Sequence, residues 1–382
     1  MPNDFYIDLD STSLNAGENV TGTVRLSTPN VYSARSIKIG FNGRASTNWN
    51  KTKVVYIPTS KQPVVKQSSR NTELVRKTVH NVKTKRREDN NNSYVKLANT
   101  AVAVCKVVNA VHRTVEYSAS EQYIEEEKFL WVCQDESNQL DPGEHSWPFS
   151  FKIPSTAPPS FEGKHGSIKY SLTAEVDIPY WPDTSVTRNI TVTPYVDLNS
   201  FPKAVNGASE QSYENIGFCW FSRGLVELKV DIPKTGYIQK QDLRMDLDIK
   251  NNSSLPVTLA HAELVQHSTY IARRHGSSKT RSSSKTVHSY THYINVEPGE
   301  EYSMWLKIKV PCLAPTFNKS CSIISVWYRL CVSVSTTAWF NSSVECVLPI
   351  VIGTERVGTI PSAPEESPTP SPRTSRKRRG RR

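Results

Sequence analysis

Cysteine and histidine are the most chemically diagnostic residues of this sequence, and their spacing argues against a metal centre. The seven cysteines form no CxxC pair, whereas zinc sites use closely spaced ligands. The nearest cysteines stand nine and ten residues apart, at Cys312, Cys321 and Cys331. Two histidine pairs fall on flanking predicted strands without a matching acidic or thiol ligand: His261/His267 and His288/His292. We expect buried, reduced thiols in a cytosolic protein, and no cofactor or metal.

Catalytic motifs are missing as well. The sequence contains no GxSxG nucleophile elbow, no GxxxxGK[ST] phosphate loop, no GxGxxG turn and no HExxH helix. The acidic run Glu125-Glu126-Glu127 precedes Lys128 and is typical of a solvated face. The pattern favours a non-enzymatic binding scaffold. The alternative is an enzyme whose nucleophile and base converge from separate loops.

Positive charge is concentrated in two segments of a chain whose net charge is +11. Residues 51–113 hold fourteen Lys and Arg against three acidic residues, and residues 355–382 hold eight against three. The remaining body is slightly acidic, so no nucleic-acid partner is expected. We predict that the following side chains bind an anionic membrane: Lys83, Lys85, Arg86, Arg87, Arg376, Lys377, Arg378 and Arg379. Two alternatives stay open, namely solvated flexible segments and, for the tail, a nuclear localisation signal.

The elements that must position these residues are short strands. Apolar residues alternate with polar ones at Phe5/Ile7/Leu9, Ile37/Ile39/Phe41 and many later sites, and 24 prolines outnumber 16 glycines. This pattern predicts antiparallel sandwiches. The sequence contains no apolar run of 18 residues, and its start, MPNDFYIDLD, lacks the regions of a signal peptide. We therefore expect a cytoplasmic protein.

An internal repeat predicts two domains of one fold. Each copy has a turn, a strand ending at proline, a proline-rich loop and another strand. The matching residues are Pro142-Gly143-Glu144 with Pro298-Gly299-Glu300, Pro154 with Pro311, Ala157-Pro158 with Ala314-Pro315, Phe161 with Phe317, and Tyr170/Leu172 with Tyr328/Leu330. A period of 156 residues is too long for a solenoid. The predicted domains are 1–199, carrying a basic insertion at 58–113, and 201–353, followed by a disordered basic tail at 354–382.

The insertion has a helical pattern in its second half. Apolar residues recur there at steps of three and four, at Leu97, Ala101, Val104, Val108 and Val111. One interpretation is a basic amphipathic helix that lies on a membrane. The other is a helix packed on its own sheet after a disordered basic lead-in.

Several motifs, in order, resemble the arrestin-domain-containing, or alpha-arrestin, family. The first domain carries Gly17-Glu18-x-Val20-x-Gly22-x-Val24-x-Leu26, Phe41-x-Gly43-x-Ala45, Leu140-x-Pro142-Gly143-Glu144-His145, Pro148-Phe149-x-Phe151 and Pro159-Ser160-Phe161-Glu162-Gly163-Lys164. The second carries Gly236-Tyr237, Asn251-Asn252-Ser253-Ser254, Ala262-x-Leu264-x-Gln266 and Pro349-Ile350-Val351-Ile352-Gly353. The resemblance covers roughly 1–57 and 114–353.

The resemblance implies two tandem immunoglobulin-like, arrestin-like β-sandwiches in an all-β adaptor, expected to be a monomer. Family members bind membrane cargo, such as receptors or transporters, and link it to endocytic, ubiquitin or ESCRT sorting machinery. The PPxY segment that recruits ubiquitin ligases in this family does not occur here. The alternative function is a signalling or redox-regulatory scaffold that does not act in trafficking.

The tail offers a different recruitment motif. Pro361-Ser362-Ala363-Pro364 resembles the P[S/T]AP ligands of the ubiquitin-variant domain of the first ESCRT complex, and two prolines favour an extended segment that enters a groove at low entropic cost. Four predicted phosphorylation sites follow Arg or precede Pro: Ser277, Ser367, Thr369 and Ser371. Ser277 lies in a predicted hairpin tip at 272–286 with five cations, where a phosphate would weaken an acidic contact. An unmodified flexible tip is the alternative.

Overall fold

The computed structural model describes residues 4–58, 108–135, 137–218, 221–339 and 342–354, and these are almost entirely β-structure. The chain divides into two compact units, one of Met1–Asn48 with Ser118–Arg382 and one of Trp49–Tyr117. Among the described residues, helical structure is confined to a 3-10 turn at Leu198–Ser200 and to helix α1 (Pro202–Val205). None of this described helical structure has the length and apolar character needed to cross a bilayer.

Twenty strands follow one another along the described chain. The first half contains β1 (Asp4–Leu9), β2 (Ser13–Asn15), β3 (Asn19–Thr28), β4 (Tyr32–Ser33), β5 (Ser36–Pro58), β6 (Val108–Val132), β7 (Gln139–Leu140), β8 (Gly143–Lys152), β9 (Phe161–Gly163), β10 (Gly166–Asp177) and β11 (Thr184–Thr193). The second half contains β12 (Ala208–Phe218), β13 (Phe221–Ile232), β14 (Gly236–Ile238), β15 (Asp242–Ser253), β16 (Val257–Arg274), β17 (Ser277–Val296), β18 (Glu301–Lys309), β19 (Ile324–Thr336) and β20 (Ser343–Gly353).

The first half is a sandwich, as the alternating pattern predicts. One sheet has the order β1-β3-β8, and the other contains β6-β5-β10-β11-β2. Every second side chain of β3, including Val20, Val24 and Leu26, is buried. The rings of Phe41 and Phe151, which belong to different sheets, lie 5.7 Å apart and fill the space between them.

The second half repeats this arrangement. A four-stranded sheet, β12-β13-β15-β18, packs against the strands β14-β20-β19-β16 with β17 beside β16. The Cys346 thiol of β20 donates to the carbonyl of Leu228 in β13 at 3.3 Å and so marks the contact between the sheets. The repeated segments supply matching strands, because β8 and β18 are edge strands of the small sheets while β10 and β19 lie in the large one.

A buried asparagine explains one of the motifs of the second half. Asn251 is fully buried and its Nδ2 donates to the carbonyls of Leu255 and Val296, both at 2.9 Å. Its Oδ1 accepts from the backbone N–H and the hydroxyl of Ser253, at 3.1 and 2.7 Å. This side chain therefore satisfies the backbone of the turn that follows β15.

The helix predicted across 97–111 is wrong at its C-terminal end. Val108 and Val111 belong to strand β6, which neighbours β5 in the sheet. β-Branched residues suit a strand, and the partner strand that provides the hydrogen bonds lies far away in sequence. The rest of that helix, at Leu97, Ala101 and Val104, lies outside the described residues, as does the predicted disordered tail beyond Thr354.

Candidate interaction surfaces

The junction between the two halves is formed by one long strand. β16 pairs with β19 from Val257 to Tyr270, which lies opposite Ile324, the first residue of β19, and then pairs through Arg273 with Ser118 of β6. The large sheet is therefore continuous through both halves. Thr47 Oγ1 donates to the carbonyl of Ile271 at 2.7 Å, which fixes the end of β16 on the first half.

Side-chain contacts between the two halves reinforce this junction. Glu121 of β6 accepts from the N–H and the hydroxyl of Ser322, at 2.9 and 2.5 Å. The rings of Phe161 and Phe317 meet edge to face at 6.1 Å. Because the two phenylalanines occupy matching positions of the repeat, the repeat places one aromatic ring from each half at the junction.

The hairpin of β16 and β17 ends beside this junction, and its tip is shorter than predicted. Residues 272–274 and 277–286 are paired strand, and only His275 and Gly276 form the turn, with φ of 45° and 75°. Two consecutive positive φ values are typical of the type I′ turn, whose twist matches that of paired strands. Ser277 is exposed and is the first residue of β17, opposite Arg274.

The two histidine pairs lie on neighbouring strands, β16 and β17, and His261 and His267 serve as hydrogen-bonding residues. The His267 ring stacks on Trp327 at 4.2 Å, and its Nε2 accepts from Arg329 Nε at 2.9 Å. Burial and the Arg329 charge lower the pKa of His267, so the ring is held neutral. His261 Nε2 lies 2.9 Å from Glu263. Among the described residues, no three His, Cys, Asp or Glu side chains are arranged to hold a metal.

The five described cysteines form no disulfide, and three of them have a raised pKa. Burial raises the pKa of Cys331 and of Cys346 to about 11 and also raises that of Cys321, which disfavours the nucleophilic thiolate. The prediction of buried thiols holds for Cys321 and Cys346, whereas Cys133 and Cys331 are half-buried. Cys312 departs from it most, because it is exposed beside Pro311 in the segment between β18 and β19. Cys105 and Cys219 lie outside the described residues.

Large aromatic side chains are exposed at two turns. Tyr180 and Trp181 lie between β10 and β11, fully exposed and 76% exposed, respectively. Tyr180 has a φ of 63°, which is unusual for a bulky residue. The turn is held by Asp183, whose carboxylate accepts from Ile178 N–H at 3.1 Å. Trp339 is 95% exposed in the connection between β19 and β20.

One of the residues that the sequence singles out as sites lies within the described part of the chain. Ser277 is described, whereas the other predicted sites lie outside the described residues: Lys83, Lys85, Arg86, Arg87, Pro361, Ser362, Ala363, Pro364, Ser367, Thr369, Ser371, Arg376, Lys377, Arg378 and Arg379. The sequence reasoning did not identify the junction or the turn carrying Tyr180 and Trp181. The signal for that turn was present, since Tyr180 and Trp181 stand between Pro179 and Pro182, where prolines interrupt the strand pattern.

Comparison with known families agrees with this architecture. The profile of the arrestin (S-antigen) N-terminal domain matches residues 4–99 and 82–199, and the profile of the arrestin C-terminal domain matches residues 222–357. The two N-terminal matches overlap at 82–99, inside the basic insertion.

Individual relatives are similar over part of their length. Arrestin domain-containing protein 4 of Mus musculus is 34% identical over 218 residues, which cover 56% of this chain and 50% of that protein. Arrestin domain-containing protein 1 of Rattus norvegicus is 28% identical over 243 residues, covering 62% and 52%. Arrestin domain-containing protein 17 of Caenorhabditis elegans is 32% identical over 228 residues, covering 56% and 49%. The chain thus spans about half the length of the curated relatives it matches.

Proposed function

Since the chain belongs to the arrestin-domain-containing, alpha-arrestin-like family, we propose that it is a non-enzymatic adaptor for membrane cargo. In this proposal the two sandwiches bind receptors or transporters at the plasma membrane or endosomes. Segments outside the sandwiches couple the cargo to endocytic, ubiquitin-dependent or ESCRT sorting machinery.

The exposed turn with Tyr180 and Trp181 is the observation that supports cargo binding most. Aromatic side chains of this size are enriched at protein interfaces and often supply most of the binding energy. Backbone strain at Tyr180 costs free energy and is typical of functional positions. The carboxylate of Asp183 holds the turn, so the backbone that carries both rings loses little freedom on binding.

Affinity capture of the full chain from a membrane lysate tests this role. We expect wild type to retain a defined set of membrane proteins, and Tyr180→Ala/Trp181→Ala to lose them, since each anchor contributes about 2 kcal/mol or more. Tyr195→Ala/Tyr213→Ala is the matched control, because both tyrosines are exposed elsewhere on the surface. Equal capture by wild type and by the turn variant would contradict the proposed cargo surface.

Peripheral membrane binding is the second part of the proposal. The basic clusters at 83–87 and 376–379 carry charge that suits anionic lipid, at about 1 kcal/mol per residue near the surface. The exposed indole of Trp339 suits the interfacial layer of a membrane. We expect flotation with vesicles containing phosphatidylserine to fall after deletion of 376–382, and further when 83–87 are neutralised. Flotation independent of both clusters would contradict this part.

Recruitment of sorting machinery is assigned to Pro361-Ser362-Ala363-Pro364. The segment begins seven residues after Thr354, the last described residue, so it lies close to the end of β20 in sequence. A pull-down with the ubiquitin-variant domain of the first ESCRT complex should retain wild type and lose Pro361→Ala/Pro364→Ala. Pro368→Ala/Pro370→Ala is the matched control. Equal retention of all three forms would show that Pro361-Ser362-Ala363-Pro364 is not the binding segment.

Phosphorylation is proposed as the regulator of these contacts. Ser277 stands opposite Arg274 at the basic end of the hairpin, where a phosphate of about −1.5 to −2 would partly cancel the local charge. Ser367, Thr369 and Ser371 precede prolines next to the tail motif. Ser277→Glu should weaken an acidic contact that Ser277→Ala leaves intact. Equal cargo and membrane binding by both variants would exclude the switch.

A further inference from the structure

Strand β17 has one edge to which no described strand is paired. Within the described residues it pairs with β16 and with no other strand. Every second residue of such a strand directs its N–H and C=O away from its neighbour, and these groups form a template for another strand. The side chains of Ser277–Thr286 are exposed except for those of Arg281 and Ser283, which are half-buried. The edge is therefore open to an extended segment.

The template is longest next to the hairpin turn. The pairing of β16 with β17 runs without interruption from Arg274–Ser277 to Val265–Thr286, and an irregularity follows at Leu264. These ten residues of β17 extend about 33 Å at roughly 3.3 Å per residue. That length accommodates a strand of ordinary size.

Along this stretch of β17, one face carries hydroxyl side chains and the other carries basic side chains. The residues on one face are small and carry hydroxyls: Ser278, Thr280, Ser282, Ser284 and Thr286. The opposite face carries Lys279, Arg281 and Lys285, and residues 272–286 contain no acidic residue. The small face leaves the backbone of the edge accessible, and the charged face would meet every second side chain of an added strand.

Other cations reinforce the charged face. Arg273, Arg274, Lys279 and Lys285 form no ion pair within the part of the chain that the structure describes. His165, whose ring meets that of Tyr270 edge to face at 5.5 Å, has its pKa lowered by burial and by the charges of Arg281 and Lys164. The positive field therefore extends from the hairpin onto the first half. Glu162 of β9 lies 3.6 Å from Lys169 in an ion pair.

We propose that the free edge of β17 over Ser277–Thr286 binds an extended acidic segment of a partner protein by strand addition. The backbone of the segment completes the sheet, and acidic side chains at alternate positions face Lys279, Arg281 and Lys285. Charge complementarity selects an acidic partner, because a neutral or basic strand would leave Lys279 and Lys285 uncompensated. The inference does not depend on the trafficking role, since it concerns binding alone.

Two synthetic peptides separate strand addition from charge attraction. The first is ten residues of alternating Glu and Thr, and the second has the same glutamates with Pro in place of Thr. Both carry equal charge, but the proline peptide lacks the N–H groups needed for a ladder. Fluorescence anisotropy with the full wild-type chain should show at least tenfold tighter binding of the Glu-Thr peptide. Hydrogen exchange should slow at Ser277–Thr286.

Charge-reversed variants complete the test. Lys279→Glu/Lys285→Glu should lose binding of the Glu-Thr peptide by at least tenfold, whereas Lys152→Glu/Lys309→Glu, which changes the net charge equally at exposed sites, should retain it. If the reversed variant does not fold, Lys279→Gln/Lys285→Gln takes its place. Equal binding of both peptides, equal loss in both variants, or no binding at all would overturn the proposal. In the last case the cations serve only to prevent edge-to-edge association.

Discussion

Gly163 is the position where a single added methyl group tests the junction most sharply. It lies at the end of β9 in the first half, against the fully buried Tyr270 of β16. A β-carbon at residue 163 would overlap Tyr270 Oη and would lie 2.7 Å from Cε1 of the Phe161 ring. Because the backbone of β16 is fixed there by the hydrogen bond from Thr47, Tyr270 cannot retreat freely.

The expected cost of Gly163→Ala follows from this overlap. Overpacking a close contact costs about 1–3 kcal/mol of the free energy of unfolding. Tyr270→Phe removes the overlapping oxygen and one weak hydrogen bond from Ser283 at 3.4 Å, so alone it should cost about 1 kcal/mol or less. In the double variant the methyl group gains the room that the missing hydroxyl leaves. The rescue is partial, since the ring of Phe161 stays in contact.

Urea unfolding followed by tryptophan fluorescence measures the four free energies of this double-mutant cycle. We expect the double variant to be more stable than additivity predicts by about 1 kcal/mol. Gly40→Ala is the matched control, since the nearest atom to its added carbon is 3.7 Å away, and its effect should stay below about 1 kcal/mol. If Gly163→Ala behaves like this control, or if the two junction changes are additive, the described packing of Tyr270 on Gly163 is incorrect.

Three further changes test single groups. The free energy of unfolding should fall as the pH drops below about 6.5. His267 takes up a proton there in the unfolded chain, whereas burial and the bond from Arg329 oppose its protonation in the folded state. In urea titrations at about pH 5 to 8, His267→Gln should flatten this dependence on pH. Asn251→Ala should lower the free energy of unfolding by about 3 kcal/mol or more, as measured by thermal or urea unfolding, since it leaves several buried backbone groups unpaired. A loss below about 1 kcal/mol would contradict the described network. At pH 8.5, iodoacetamide should label Cys312 in the native protein and Cys346 only after unfolding, as read by peptide mass spectrometry; equal labelling rates would show that Cys346 is accessible.

Local patterns in the sequence predicted much of the fold. Alternation at Phe5, Ile7 and Leu9 corresponds to β1, and the repeated Pro-Gly-Glu segments lie at the start of β8 and directly before β18. These features are readable because a half-buried strand has a period of two residues. The arrestin resemblance, confirmed by the family profiles, rests on the same local segments.

Long-range pairing could not be predicted in the same way. The sequence did not indicate that β16 runs past the end of β19 to reach Ser118, because the pairing partners are far apart in the chain. For the same reason the valines at 108 and 111 were assigned to a helix, although their partner strand β5 stabilises them in a strand. The basic pattern at 277–286 was visible, but its position on a free edge depends on the topology.

The surface proteome of cells that lack the protein tests the adaptor role most directly. If the chain sorts membrane cargo, its removal should raise the surface abundance of a defined set of receptors or transporters. Wild type should restore their normal levels, and Tyr180→Ala/Trp181→Ala, expressed at the same level, should not. An unchanged surface proteome after removal, or full restoration by the turn variant, would contradict the account.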